Sequence, residues 1–124
     1  MTNSVKEITI SEQEAIEFGF NWTHPDQIFD QIQSECQEIR EVLDDSAKKD
    51  ELENELGDLM HATISLCVFT GFDPETALQK TLLKFNKRFI EVVRLAKQDG
   101  HTNLKGQRSE ILMSYWNKAK LNVG

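Results

Sequence analysis

The sequence predicts an all-α protein: an antiparallel helical hairpin, a third long helix and a short C-terminal helix, assembled as an oligomeric helical bundle. Three long segments carry apolar residues at a period close to 3.6, which is the spacing of one face of an α-helix. Between the second and third segments, residues 71–74 combine a helix-stopping glycine, a capping aspartate and a proline suited to a first helical turn. Charged residues make up 28% of the chain, as expected for helices with charged outer faces.

The N-terminal segment gives the weakest pattern. Residues 5–10 alternate like a short strand, and Ser11 begins a capping-box sequence that predicts a short helix. An aromatic loop, residues 18–22, follows. We therefore interpret residues 1–22 as an extension of a single domain that spans residues 1–124.

The helical hairpin is predicted from two periodic segments. The first helix starts at Thr23-His24-Pro25, with Thr23 as the cap and Pro25 in the first turn, and runs to about Leu43. The second runs from about Lys48 to Thr70. Its last part, residues 60–69, has almost no charge and is expected to be deeply buried.

The third helix is predicted from Pro74 to about Gln98, where Gly100 ends it. The helical core therefore covers residues 23–99. Ser109 is the expected cap of the C-terminal helix, residues 108–121. Because such helices carry more apolar surface than one subunit covers, we expect at least a dimer.

Composition limits the possible partners and the location. The net charge of −7 argues against a nucleic-acid polymer, whose binding depends on Lys and Arg contacts to phosphate. Cys36 and Cys67 lack a metal-binding spacing, so we expect free thiols in a reducing cytoplasm. The sequence shows neither an apolar signal core nor a stretch as long as a membrane span, so no membrane association is expected.

Two carboxylate pairs, Glu35/Glu38 and Glu55/Asp58, are the most informative feature of the chain. Their i,i+3 spacing places both acids of a pair on one helix face. The pairs are centred on the boundary between residues 46 and 47, so a chain that folds back there sets Glu38 level with Glu55 and Glu35 level with Asp58. Four converging carboxylates repel one another unless a cation joins them, and Mg²⁺ or Mn²⁺ is the natural occupant.

An ordinary solvated acidic face is the alternative interpretation of these acids. Against it, the acids flank the apolar stripes of both helices, and Gly57 lies between Glu55 and Asp58. A glycine inside a helix costs about 1 kcal/mol relative to alanine, which indicates close approach of a backbone or ligand.

Basic and aromatic residues provide candidate substrate contacts. Lys84 and Arg88 share a helix face, as do Trp116 and Lys120. If the third helix packs over the hairpin, Lys84 and Arg88 face the acids with ligand phosphates between them; otherwise they form an exposed basic face. Trp22 can stack on a base or cap the core.

The order and spacing of these motifs resemble those of the MazG-type nucleoside triphosphate pyrophosphohydrolases. The resemblance covers roughly residues 22–120. The motifs that carry it are Glu35-x-x-Glu38, Glu55-Leu56-Gly57-Asp58, Gly71-Phe72-Asp73-Pro74, Lys84-Phe85-Asn86-Lys87-Arg88 and Tyr115-Trp116-Asn117-Lys118-Ala119-Lys120.

The resemblance implies an all-α dimer or tetramer that hydrolyses (deoxy)nucleoside triphosphates between the α and β phosphates and clears unwanted nucleotides. It implies Mg²⁺ ligands at the four acids. From the chemistry of the reaction, we expect Glu35 or Glu38 to orient or deprotonate the attacking water. Substrate contacts are implied at four further positions: Lys84, Arg88, Trp116 and Lys120. Ser34 and Asn54 stand where the family often has further acids, which leaves open the number of metal ions and the group that activates water.

Two other interpretations are compatible with the residues. Asp58-x-x-His61 has the spacing of a di-iron or di-manganese carboxylate protein, although that architecture requires a Glu/His pair on two helices. A non-enzymatic acidic helical interaction module with a degenerate site is the second alternative.

Overall fold

A computed structural model describes residues 3–124 and contains only helical elements within that range. The prediction of an all-α fold is therefore confirmed. The elements are α1 (Ser4–Phe18), α2 (Pro25–Val42), a 3₁₀ turn (Ser46–Lys48), α3 (Lys49–Phe69), α4 (Pro74–Gln98) and α5 (Ser109–Val123). None of these helices has both the length and the apolar character needed to cross a bilayer.

The predicted N-terminal strand is wrong, because residues 5–10 belong to α1. Asn3 caps this helix by accepting a hydrogen bond from the Lys6 N–H at 3.1 Å, and Gly19 ends it with a φ of 101°. The alternation over residues 5–10 is too short to specify a strand, and packing of α1 against α3 favours the helix. Met1 and Thr2 of the predicted extension lie outside the described residues.

The helical hairpin forms with bounds within one residue of those predicted. The cap of α2 is His24 rather than Thr23: His24 Nδ1 accepts from the Asp26 N–H at 3.1 Å, while Gln27 Oε1 accepts from the His24 N–H at 3.3 Å. This reciprocal pair is a capping box. At the turn, Asp45 accepts from the Ala47 N–H at 3.0 Å, and α3 then packs back along α2.

The predicted deep burial of residues 60–69 is wrong. Ala62 and Ser65 are buried, but the other eight residues are half-buried or exposed, and Met60 is 64% exposed. The helices that pack extensively against α3 are α1 and α2, whereas the apolar sequence extends around the helix. A low charge predicts an apolar surface but does not predict which partner covers it.

The chain divides into two compact units, one ending at Ala77 and the other covering residues 78–124. In the first, Asp73 caps the start of α4 by accepting from the Thr76 N–H at 3.2 Å. In the second, Tyr115 of α5 donates to Asp99 at 2.6 Å. Ser109 is the first residue of α5 rather than its cap; Arg108 occupies the cap position without a side-chain hydrogen bond.

Glu91 ties α4 to α5 within the second unit. Its carboxylate accepts from Arg94 Nε at 2.6 Å and Nη2 at 2.8 Å, and from Asn122 Nδ2 at 2.7 Å. The residue is only 8% exposed. The Arg94 hydrogen bonds, followed by that of Asn122, lower the pKa of Glu91 from 4.5 to about 2.

Glu91→Gln is expected to lower the melting temperature by several degrees at pH 7 and by much less near pH 2. The folded-state pKa of about 2 lies below the ordinary value of 4.5, so the ionised group stabilises the fold fully above pH 4.5 and loses that effect as the pH falls towards 2. Thermal unfolding of both proteins across this range measures the difference. An equal loss of stability at every pH would contradict this explanation.

Candidate active site

Three carboxylates converge where α2 and α3 lie side by side. Glu35 of α2 and Glu55 and Asp58 of α3 each place a carboxylate oxygen within 4.8 Å of the others. Their helices are antiparallel because the chain reverses at the 3₁₀ turn, and this brings Glu35 opposite Asp58 as the spacing predicts. We call Glu35, Glu55 and Asp58, together with the adjoining Glu38, the acidic cluster.

The electrostatics of the acidic cluster reflect crowding of like charges. Hydrogen bonding to Glu35, then to Glu38, raises the pKa of Glu55 from 4.5 to about 7, with burial and carboxylate repulsion adding in the same direction. Gln31 Nε2 donates to Glu35 Oε1 at 2.7 Å and so fixes the orientation of that group.

Two oxygens of the acidic cluster have no hydrogen-bond partner in the part of the chain that the structure describes. Glu35 Oε2 and Glu55 Oε2 are buried, and no donor within residues 3–124 reaches either atom. A buried acceptor without a hydrogen bond is costly, whereas coordination to a cation satisfies it. Because every candidate ligand here is a carboxylate oxygen, the residues fit a hard divalent ion such as Mg²⁺ or Mn²⁺.

A cavity of about 810 Å³ opens beside the acidic cluster. It lies within the first unit, between α1, the aromatic loop, α2 and α3. Glu35 and Asp58 line one part of it, and Trp22 contributes to the wall, where an aromatic ring can stack on a base. Its size is that of a pocket for a small organic ligand.

Comparison with known proteins matches residues 23–103 to the MazG nucleotide pyrophosphohydrolase domain. That range includes the acidic cluster and all of α2, α3 and α4. The chain belongs to the MazG nucleotide pyrophosphohydrolase domain family.

Two MazG relatives show the extent of the similarity. The nucleoside triphosphate pyrophosphohydrolase/pyrophosphatase MazG of Thermotoga maritima is 37% identical over 109 residues, which are 88% of this chain and 41% of that protein. The nucleoside triphosphate pyrophosphohydrolase of Escherichia coli K12 is 36% identical over 106 residues, 82% of this chain and 39% of that protein. The chain thus spans about two fifths of the length of these relatives.

The four substrate contacts that the MazG resemblance implies all lie in the second unit: Lys84, Arg88, Trp116 and Lys120. Arg88 and Trp116 come together there: the guanidinium lies 5.5 Å from the ring centroid, and Nε donates to the Gly124 carbonyl at 2.9 Å. Lys84 and Lys120 are exposed. Their predicted contacts with substrate phosphates stay predictions.

Gly57 faces open space. A Cβ added to it meets no other atom within 4 Å in the part of the chain that the structure describes. The predicted close approach of a backbone is therefore absent within residues 3–124. Approach of a ligand stays a prediction.

A polar cluster in the cavity was missed by the sequence analysis of this MazG domain. Glu12 Oε1 accepts from Ser65 Oγ at 2.6 Å and lies 2.6 Å from His61 Nε2. His61 therefore contacts α1 through Glu12, and it lines the cavity. This is the histidine that the di-metal alternative pairs with Asp58. The available signal was the helical spacing of Ile8, Glu12 and Ala15, which share the cavity face of α1.

Proposed function

We propose that this chain hydrolyses (deoxy)nucleoside triphosphates between the α and β phosphates, giving a nucleoside monophosphate and pyrophosphate in a Mg²⁺-dependent reaction. The observation that carries the proposal is the pair of buried oxygens of Glu35 and Glu55, which have no hydrogen-bond partner among residues 3–124, beside a cavity of nucleotide size. The two MazG relatives, both nucleoside triphosphate pyrophosphohydrolases, support the same reaction. Mn²⁺ is a suitable substitute because it also prefers oxygen ligands.

Glu35, Glu38, Glu55 and Asp58 are the proposed metal ligands. Bound Mg²⁺ would neutralise phosphate charge and lower the pKa of a water molecule. Glu35 is fixed by Gln31, whereas Glu38 is exposed and borders Glu55. Either Glu35 or Glu38 orients the attacking water and accepts its proton, since a carboxylate can serve both as a ligand and as a base.

The remaining substrate contacts involve cationic and aromatic residues. Lys84 and Arg88 are proposed to stabilise the departing pyrophosphate, because their charges oppose the charge that develops on it. Trp116 and Lys120 are proposed to contact the substrate from α5. Trp22 is proposed to stack on the base, which its place in the cavity wall supports.

Assembly and role are parts of the same proposal. Met60 is 64% exposed and Phe72 is 69% exposed, and burying such side chains against a second copy supports a homodimer or homotetramer. The free cysteines, Cys36 and Cys67, suit a reducing cytoplasm. We propose removal of unwanted nucleotides as the role, with no nucleic-acid polymer or membrane as a partner.

A panel of ribo- and deoxynucleoside triphosphates tests the reaction. With MgCl₂, at least one nucleotide is expected to yield pyrophosphate and its monophosphate in equal amounts, and EDTA is expected to stop the reaction. Chromatography of the nucleotides together with separate assays for pyrophosphate and orthophosphate distinguishes the products. Orthophosphate as the initial product would contradict the proposed cleavage site, and no turnover would favour the non-enzymatic interaction module.

A further inference from the structure

The polar cluster formed by Glu12, His61 and Ser65 has no part in the metal chemistry proposed above, yet it lines the same cavity. We infer that Glu12 determines base specificity by accepting a hydrogen bond from an exocyclic amino group of the substrate base. This inference rests on the proposed hydrolysis of nucleoside triphosphates. It assigns a function to α1, which lies outside the matched family domain of residues 23–103.

Among the described residues, the hydrogen bonds of Glu12 involve only one of its two carboxylate oxygens, so the other is available to a ligand. Ser65 Oγ donates to Oε1 at 2.6 Å, and His61 Nε2 lies 2.6 Å from the same atom. Both contacts use Oε1, so its two lone pairs are occupied while Oε2 keeps its acceptor capacity. The side chain is only 18% exposed, and the residue lines the cavity.

The position of this oxygen suits a base rather than a phosphate. Asp58, His61 and Ser65 lie on one face of α3, and seven residues of helix separate Asp58 from Ser65 by about 10 Å along the axis. A nucleotide whose phosphates lie at the acidic cluster can extend its base over this distance. A phosphate next to Glu12 would meet a like charge, whereas an uncharged base would not.

The chemistry of a carboxylate selects the kind of base. Ionised Glu12 is an acceptor only, so it pairs with the amino group of cytosine, adenine or guanine. Uracil has a carbonyl oxygen in place of the cytosine amino group, and hypoxanthine has one in place of the adenine amino group, so either oxygen would face another acceptor and leave both groups unpaired. In place of the C2 amino group of guanine, hypoxanthine has only a hydrogen bonded to carbon, so Glu12 would lose its donor. The apolar side chains of Ile8, Ala15 and Ala62 line the same cavity and offer contact to the flat faces of the base.

The Glu12→Gln variant distinguishes two roles of Glu12: recognition of the substrate base, and stabilisation of the packing between α1 and α3. Glutamine keeps one carbonyl oxygen for Ser65 and His61, but replaces the other oxygen with an NH₂ donor. We expect the wild-type protein to favour the amino member of at least one pair (CTP over UTP, ATP over ITP or GTP over ITP) by about tenfold or more in kcat/KM. The specificity ratio is kcat/KM for the amino member of a pair divided by kcat/KM for the other member. In Glu12→Gln this ratio is expected to fall by about tenfold or more.

Two further variants complete the test. Ser65→Ala removes one hydrogen bond that orients Glu12, so it should lower the same ratio by a smaller factor. This variant replaces Glu12→Gln in the test if Glu12→Gln does not fold. Glu14→Gln makes the same chemical change on an exposed part of α1 and should leave the ratio unchanged.

Each outcome decides the inference. A wild-type protein without preference for the amino member of any pair overturns it. So does an equal loss of kcat/KM for both members of a pair in Glu12→Gln, because that result assigns Glu12 to holding α1 against α3. If Glu12→Gln hydrolyses nucleotides with an unchanged specificity ratio, only the assignment of base specificity to Glu12 is wrong. If the wild-type protein hydrolyses no nucleotide, the proposed function itself is wrong.

Discussion

Asp58→Asn and Glu38→Gln are each expected to reduce Mg²⁺-dependent release of pyrophosphate by a factor of about 10²–10³ or more. Asp58 contributes one of the three converging carboxylate oxygens, and Glu38 borders Glu55 in the acidic cluster. An amide has nearly the shape of a carboxylate but no charge, so it binds a divalent cation weakly and accepts no proton from water. Steady-state kinetics with MgCl₂, using the best nucleotide of the panel, measures the loss.

The controls separate loss of chemistry from loss of folding. Glu53→Gln makes the same change on an exposed part of α3 and is expected to retain wild-type kcat/KM. Circular dichroism is expected to show the same helical content for all variants, because both substituted side chains in the site are exposed. Wild-type rates in either Asp58→Asn or Glu38→Gln would remove that residue from the site.

The acidic cluster was predictable because local geometry determines most of it. The i,i+3 spacing fixes which acids share a helix face, and the position of the reversal fixes which acids lie opposite each other. Asp45 and the 3₁₀ turn, Ser46–Lys48, place that reversal where the symmetry of the two pairs predicts it. Glu35 therefore meets Asp58 across the hairpin.

The identity of α1 was not predictable from local pattern. Six residues with alternating polarity suit either a strand face or part of a helix, and contact with α3 decides between them. Once residues 5–10 are assigned to a strand, Ile8, Glu12 and Ala15 no longer share a face. The polar cluster around Glu12 depends on that face and on residues about 50 positions further along the chain, which no local spacing reveals.

Burial was the other property that sequence could not determine. The weakly charged segment of residues 60–69 was correctly identified as helical, but burial depends on what packs against each side of α3. The same limit applies to Lys84 and Arg88. Their shared helix face follows from their spacing, whereas a position near substrate depends on tertiary or quaternary arrangement.

Mg²⁺ is expected to raise the melting temperature of the wild-type protein by roughly 10 °C when its free concentration is 100 times the dissociation constant. Preferential binding to the folded state gives about 2.7 kcal/mol under that condition, and a domain of this size gains about 4 °C per kcal/mol. The buried oxygens of Glu35 and Glu55, which lack donors within the described chain, are the atoms that gain a partner. Thermal unfolding monitored by circular dichroism, with MgCl₂ or MnCl₂ titrated at constant ionic strength, measures the shift.

Glu55→Gln tests whether the acidic cluster is the origin of that shift. At pH 8, above the Glu55 pKa of about 7, the Glu55 carboxylate of the wild-type protein is mostly ionised and adds its negative charge to those of the neighbouring carboxylates. The variant removes one of these charges, so without metal it is expected to melt at a higher temperature than the wild-type protein, because repulsion with Glu35 and Glu38 is relieved. It should also lose most of the response to Mg²⁺, whereas Glu53→Gln should keep it. If Mg²⁺ raises the melting temperature of Glu55→Gln as much as that of the wild-type protein, the ion binds elsewhere. The proposed site of phosphate binding would then be wrong as well.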